Sequence, residues 1–293
     1  MLAVAVASLL VGCGGDSAGG PSASPTAAPP TAQSHSPDPG LSPEPVPSGT
    51  DGVPIVYLLG GSSARECVVG NAAWAEEMKE LGAGKVEAMD LGDTNRTFSQ
   101  DLAYVRGMDE SRPTVVLIGV NLGRFTFAPS PTLADKPLSR DERAGLAGTI
   151  DLKHRYSVGR ILSDDEKRAM LDKWLTERYT LFRRNHDGNR AMLADLVEAC
   201  KKRGFHPVIL DLPLNLELAG DRLDEPRDTY REDCRRVAEK AGVPVLDFVD
   251  DVGLKNGDFY DIAHLVEPGR DKWQTRLSKE VVALLHDDGF ASD

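Results

Sequence analysis

Cysteine and aromatic residues are scarce in this sequence: four cysteines and 6% Phe, Trp and Tyr among 293 residues. That cysteine content excludes a disulfide-dense scaffold, and so few aromatic rings leave no obvious platform for long sugar chains. No block of Lys and Arg occurs, and 46 acidic against 34 basic residues give a formal charge of -12. Non-specific nucleic-acid binding, which depends on neutralising phosphates, is thereby excluded. Beyond the first dozen residues, no apolar run approaches the roughly 18 residues of a membrane helix. What is present is 41% apolar and 27% charged content, the composition of a soluble globular protein. The length suffices for one large domain or two small ones.

The N-terminal part stands apart. Residues 2–12 (LAVAVASLLVG) form a short apolar run ending at Cys13, of the length of a signal-peptide core and too short to span a bilayer. Leu10-Val11-Gly12-Cys13 resembles a bacterial lipobox, which implies cleavage before Cys13 and a lipid on its thiol. Residues 14–52 are Pro, Ser, Ala, Gly and Thr with almost nothing apolar, and nine of the 19 prolines fall there. Such a stretch cannot bury enough surface to offset its ordering entropy and is expected to be an extended tether. It carries Asp16, Asp38, Glu44 and Asp51 and no base; the first basic residue of the chain is Arg65. The expected organisation is a signal segment over 1–13, a tether over 14–52 and a folded domain over 53–293. The chain is expected to be exported to the outer face of the bacterial membrane and held there by its lipid alone. Cys67, Cys200 and Cys234 remain in the domain. An oxidising compartment allows one disulfide with one thiol left over, and Cys200 and Cys234, in helical patterns flanking a predicted strand, could meet. Their spacing fits no zinc motif, and no metal is expected.

From residue 53 the pattern alternates. Short apolar runs at 54–59, 85–91, 114–119, 206–212 and 243–248 read as strands, separated by helical patterns over 63–81, 98–106 and 171–202. Continuous apolar strands between helices indicate a mainly parallel sheet covered on both faces. The fold class is therefore α/β, a three-layer sandwich around five strands, flavodoxin-like in plan. Asn185-His186-Asp187-Gly188 could break the third helix before 191–202 resumes it. Residues 123–163 form an aperiodic insertion, expected to be a lid or wall over the carboxyl end of the sheet, where ligands bind in such folds; a solvated insertion without a catalytic role is the alternative.

Each candidate for chemistry follows the carboxyl end of a predicted strand. Gly60-Gly61-Ser62-Ser63 places a serine on a tight strand-to-helix turn, its hydroxyl exposed beside backbone N–H groups able to stabilise an oxyanion. Capping of the following helix is the competing reading. Gly119-Val120-Asn121 ends the third strand with an amide that either faces the same space or stabilises a turn. Asp261-Ile262-Ala263-His264 places a carboxylate where it can hold the ring Nδ1–H and leave Nε2 free to accept a serine proton. A structural histidine is the alternative for His264.

In their order along the chain these blocks resemble the SGNH (GDSL-type) hydrolases. Gly60-Gly61-Ser62-Ser63-Ala64-Arg65 is similar to the first block, with Gly61 in place of an aspartate. Gly119-Val120-Asn121 is similar to the Gly-x-Asn block, with Leu122 where an aspartate is usual. Asp261-x-x-His264 matches the last block, and Gly92 after the second strand stands for the block-two glycine. The resemblance implies Ser62 as nucleophile, His264 as base and Asp261 as its orienter. It places the Ser62 and Gly92 amides and the Asn121 side chain in the oxyanion hole. Ser63 is the alternative nucleophile. The implied activity is cleavage or transfer of acyl esters on a small molecule, lipid or polysaccharide, with no cofactor. The competing expectation is a non-catalytic glycan- or lipid-binding lipoprotein on the same fold.

Overall fold

A computed structural model describes the protein over residues 52–148, 154–156 and 160–291. The expected signal segment, Cys13 and the tether up to residue 51 lie outside the described residues. One sheet organises the domain, built of β1 (Ile55–Leu59), β2 (Glu87–Asp90), β3 (Thr114–Val120), β4 (His206–Asp211) and β5 (Val245–Leu246). Across the sheet the order is β2-β1-β3-β4-β5, and every pairing is parallel. Every residue of β1 and β3 is buried, the reason these strands read as unbroken apolar runs rather than alternating ones.

The helices form two outer layers. α1 (Ser62–Arg65) and α2 (Asn71–Met78) follow β1, and α2 packs against the last helix, α9 (Glu267–Asp287). α3 (Phe98–Gly107), α6 (Tyr179–Lys202) and α8 (Asp224–Ala241) lie side by side, with the short α7 (Leu216–Ala219) preceding α8. Trp74 and Trp273 are fully buried in α2 and α9. Phe98, Phe182 and Tyr230 of the other layer enclose Phe125 with ring centroids 5.5 to 6.4 Å apart.

Two helices differ from expectation. The helix expected over 63–81 is split into α1 and α2, because the backbone between them bonds to distant partners. The Val69 N–H donates to Gln274 of α9, and the Val68 carbonyl accepts from His154. The break that 185–188 could make does not occur, and α6 runs through it. Asn185 and Asn189 turn inward and donate to the carbonyls of Thr126, Phe125 and Phe127, while His186 pairs with Asp233 of α8. Gly188 lies where a Cβ would stand 2.4 Å from Cγ of Pro129. These polar residues are docking groups of a buried helix face, not punctuation. The possible disulfide is likewise not formed: Cys67, Cys200 and Cys234 are free and buried, serving as small apolar core residues.

The insertion divides by location. Residues 124–126 form a tight turn against α6, and 131–135 pack on α3 together with α4 (Arg140–Leu146). Gly123, Arg124, Thr126 and Phe127 do line the cleft at the sheet's carboxyl edge, and α5 (Asp164–Lys173) and a π-helical turn, Trp174–Arg178, that joins it to α6 complete that wall. With strand order 2-1-3-4-5, the chain leaves β1 toward one edge and β3 toward the other. A crevice opens where the two directions part, outside the carboxyl ends of β1 and β3. Ser62 and Asn121 follow those two strands.

Candidate active site

Ser62 is the first residue of α1, and its neighbour Ser63 is buried in the same turn. At the start of a helical turn their N–H groups have no preceding carbonyl within the helix. Gly92, after β2, closes against this turn; a Cβ there would stand 2.5 Å from the Arg65 nitrogen, so only glycine fits.

The opposite side of the site is a hairpin between β5 and α9. Phe259 and Leu265 bridge antiparallel, and the Tyr260 N–H donates to the His264 carbonyl. The hairpin tip presents Asp261 and His264. His264 Nδ1 lies 2.9 and 2.8 Å from the two Asp261 oxygens, and Asp261 Oδ1 also accepts from the Ala263 and His264 amides. Burial opposes ionisation of Asp261, but the His264 hydrogen bond and charge, together with those two amides, hold it below the usual carboxylate range. On the far side of the ring, His264 Nε2 lies 2.7 Å from Ser62 Oγ. The carboxylate fixes Nδ1 as the protonated nitrogen, so Nε2 is free to take the serine proton. Asn215, after β4, braces the hairpin by donating to the Asp261 carbonyl and to Asn256. The buried Lys167 of α5 donates to Asn256 as well. Sequence reasoning did not single out Asn215 or Lys167, which carry no local signature.

Asn121 Oδ1 accepts the Arg124 N–H, which fixes the amide's orientation and turns Nδ2 toward Ser63 Oγ at 2.9 Å. The base therefore meets Ser62, while Ser63 is buried against Asn121. Gly92 departs from its expected role. Its N–H donates to Asp90 Oδ1 at 2.8 Å in a buried contact, so this amide is already engaged and does not face the serine as an open donor. The reason lies in β2, whose last residue, Asp90, is buried two positions before the glycine.

A cleft of about 270 Å³ opens over Ser62 and His264. Its apolar wall includes Leu122, Phe127, Met170, Trp174 and Leu214, with Arg178 among its lining residues. The π-helical turn thus contributes Trp174 and Arg178, a placement such turns often have at sites. Behind the serine, buried Glu66 accepts from Arg65, from Arg270 and from the Arg155 N–H. Residues 154–156 lie against this cluster, and Tyr156 covers the His264 ring with centroids 3.9 Å apart and planes 15° apart. Among the described residues no group of His, Cys, Asp and Glu could hold a metal, and no helix is long and apolar enough to cross a membrane.

No protein-family model matches the chain, and no curated protein matches it. Solved structures align with most of it at low identity. A catalytic mutant of an acetylxylan esterase from Geobacillus stearothermophilus is 16% identical over 82% of this chain and 96% of its own, with a TM-score of 0.45. TesA is 11% identical over 78% of this chain and 99% of its own, with a TM-score of 0.43. A GDSL-like lipase from Bacteroides thetaiotaomicron is 9% identical over 78% of this chain and 88% of its own, with a TM-score of 0.40.

Proposed function

We propose that this chain is a serine esterase of the SGNH type that cleaves or transfers acyl esters. The observation that carries the reading is the continuous chain of contacts from Asp261 through His264 to Ser62, with 2.8 Å at Nδ1 and 2.7 Å at Nε2. A nucleophile, a base and an orienting carboxylate within hydrogen-bond reach are what acyl transfer needs, and neither metal nor nucleotide enters. Ser62 attacks the ester carbonyl while His264 takes its proton. His264 then protonates the departing alcohol, and water or an acceptor hydroxyl releases the acyl group from Ser62. A cleft of about 270 Å³ with an apolar wall suits a short acyl group, with the alcohol portion leaving past Met170 and Arg178. With the lipobox-like Cys13 and the Pro-rich tether, the substrate in this reading is an acylated carbohydrate or envelope polymer reached from the outer membrane face.

The test is intact-protein mass spectrometry after a fluorophosphonate probe, with peptide mapping. A single adduct on Ser62, abolished in Ser62→Ala, supports the reading. A folded protein that forms no adduct overturns it in favour of a binding protein on the same fold. The engaged Gly92 amide is the observation that favours this second reading.

A further inference from the structure

An oxyanion hole built on Ser62 and Asn121 with the Gly92 amide engaged elsewhere has one donor fewer than the sequence implied. Each such donor is worth about 100- to 1000-fold in kcat in acyl-transfer enzymes. Tyr156 stands over the base of the same triad. Its ring lies flat on His264, with centroids 3.9 Å apart, and the Nε2 of that imidazole is 2.7 Å from Ser62 Oγ, so the tyrosine stands beside the nucleophile; Ser62 is among the side chains that act on its hydroxyl. We propose that the Tyr156 hydroxyl is a catalytic hydrogen-bond donor to the oxyanion, in place of the bond that the Gly92 amide does not offer. The inference rests on the esterase reading of the site.

Three observations support it. First, the tyrosine is held from two directions. His154 Nε2 donates to the Val68 carbonyl at 2.8 Å, and the Arg155 N–H donates to Glu66 at 2.9 Å. Glu66 is itself fully buried between Arg65 and Arg270. The short segment is thus pinned to the backbone that continues from the serine turn, so Tyr156 and Ser62 share one foundation. Second, the stacked ring fixes the direction of the hydroxyl, because a phenol flat against an imidazole has little freedom to swing. Third, burial, and after it the charge of Asp261, push the Tyr156 hydroxyl above the ordinary tyrosine range. The group keeps its proton at neutral pH and donates as a neutral hydroxyl.

In the step proposed, Ser62 Oγ bonds to the carbonyl carbon and passes its proton to His264 Nε2. The carbonyl π pair moves onto the oxygen, which receives hydrogen bonds from Tyr156 and Asn121 without taking a proton from either. Collapse re-forms the carbonyl and breaks the bond to the alcohol oxygen, which leaves with the proton held by His264. The tyrosine ends the cycle unchanged.

The experiment is steady-state hydrolysis of p-nitrophenyl acetate by the full chain, comparing wild type, Ser62→Ala, Asn121→Ala and Tyr156→Phe. Phenylalanine keeps the ring on His264 and removes only the hydroxyl. The expected result is a kcat lower by about 100-fold in Tyr156→Phe, with KM and melting temperature unchanged and a loss comparable to that of Asn121→Ala. An active wild type with Tyr156→Phe near the wild-type kcat overturns this proposal and leaves the esterase reading intact. So does a faster Tyr156→Phe, which would make the hydroxyl an obstruction. A wild type as inert as Ser62→Ala, without a phosphonate adduct, overturns both together.

Discussion

Asp90 links the stability of this fold to pH, and Asp90→Asn isolates the link. The residue ends β2 with 2% exposure; Oδ1 accepts the Gly92 amide, and Oδ2 is buried without a hydrogen-bond partner among the described residues. Burial pushes its carboxyl up to about 8, against the opposing effects of the Gly92 amide and of Arg65 and Arg96. In the unfolded chain the same group titrates near the ordinary value of about 3.9. Between the two values the native state holds a proton that the unfolded state has released, so raising the pH favours unfolding. The contribution is fully present below about pH 4 and is lost progressively up to about pH 8, with a slope near 1.4 kcal/mol per pH unit. Over pH 5 to 7 this amounts to about 3 kcal/mol from Asp90 alone. Asparagine keeps an oxygen for the Gly92 amide and does not titrate. Urea unfolding at pH 5, 6, 7 and 8 is expected to show the wild type losing stability more steeply than Asp90→Asn, so that the difference between them changes by that amount. Asp211, which burial pushes up to about 7, is present in both proteins and cancels. Parallel pH profiles for the two would refute the reasoning, because they would mean that Asp90 is charged in the native state throughout.

Asp261→Asn is expected to lower kcat for ester hydrolysis by several orders of magnitude with the hairpin intact, as a mis-set histidine tautomer does in other triads; near-normal turnover at neutral pH would show that Asp261 does not orient the base. Glu66→Gln leaves the Arg65 and Arg270 guanidinium groups buried with no carboxylate between them, a change expected to cost about 3–5 kcal/mol in denaturant unfolding. Gly188→Ala sets intrinsic helix preference against packing. Alanine is the better helix former by about 1 kcal/mol, but its Cβ would stand 2.4 Å from Pro129 Cγ. The packing term dominates, so a lower unfolding midpoint is expected, and a higher one would show that the 127–130 turn yields freely.

The features legible in the sequence are those written locally. Runs such as 114–119 and 206–212 are buried on both faces and therefore carry no alternation, which made a parallel sheet readable before its order was known. Asp261 and His264 are three residues apart on one hairpin, so their pairing could be proposed from spacing alone. Ser62 and His264, 202 positions apart, could be joined only by supposing that each loop follows a strand at one edge. What misled were polar residues whose partners are remote. Asn185 and His186, in the stretch Asn185-His186-Asp187-Gly188, have the composition of a helix break, yet each is satisfied by a carbonyl or carboxylate distant in sequence, as is the neighbouring Asn189, which makes α6 continuous. The wall expected in 123–163 is part of the one observed: Phe127 belongs to it, whereas Met170, Trp174 and Arg178 lie in the adjoining helical stretch, whose periodicity marked it only as a helix.

Gly92 and Tyr156 show how a motif position and its function can separate. The glycine stands after β2 as the resemblance requires, and the close approach of Arg65 demands a residue without a Cβ there. That steric demand is met whether or not the amide is open to a ligand. The availability of the amide is decided by Asp90, whose side chain claims it. Tyr156 has no motif at all; it is a lone aromatic in an irregular segment, and its position follows from two contacts, His154 to Val68 and Arg155 to Glu66. If the hydroxyl at Ser62 does the work that the amide does not, then Asp90→Asn and Tyr156→Phe act on different properties. The first alters the pH profile of stability while kcat stays near that of the wild type, because asparagine still holds the Gly92 amide. The second alters kcat while stability stays put, because the ring still covers His264. A large kcat loss in Asp90→Asn would reverse the assignment and return the Gly92 amide to the oxyanion hole.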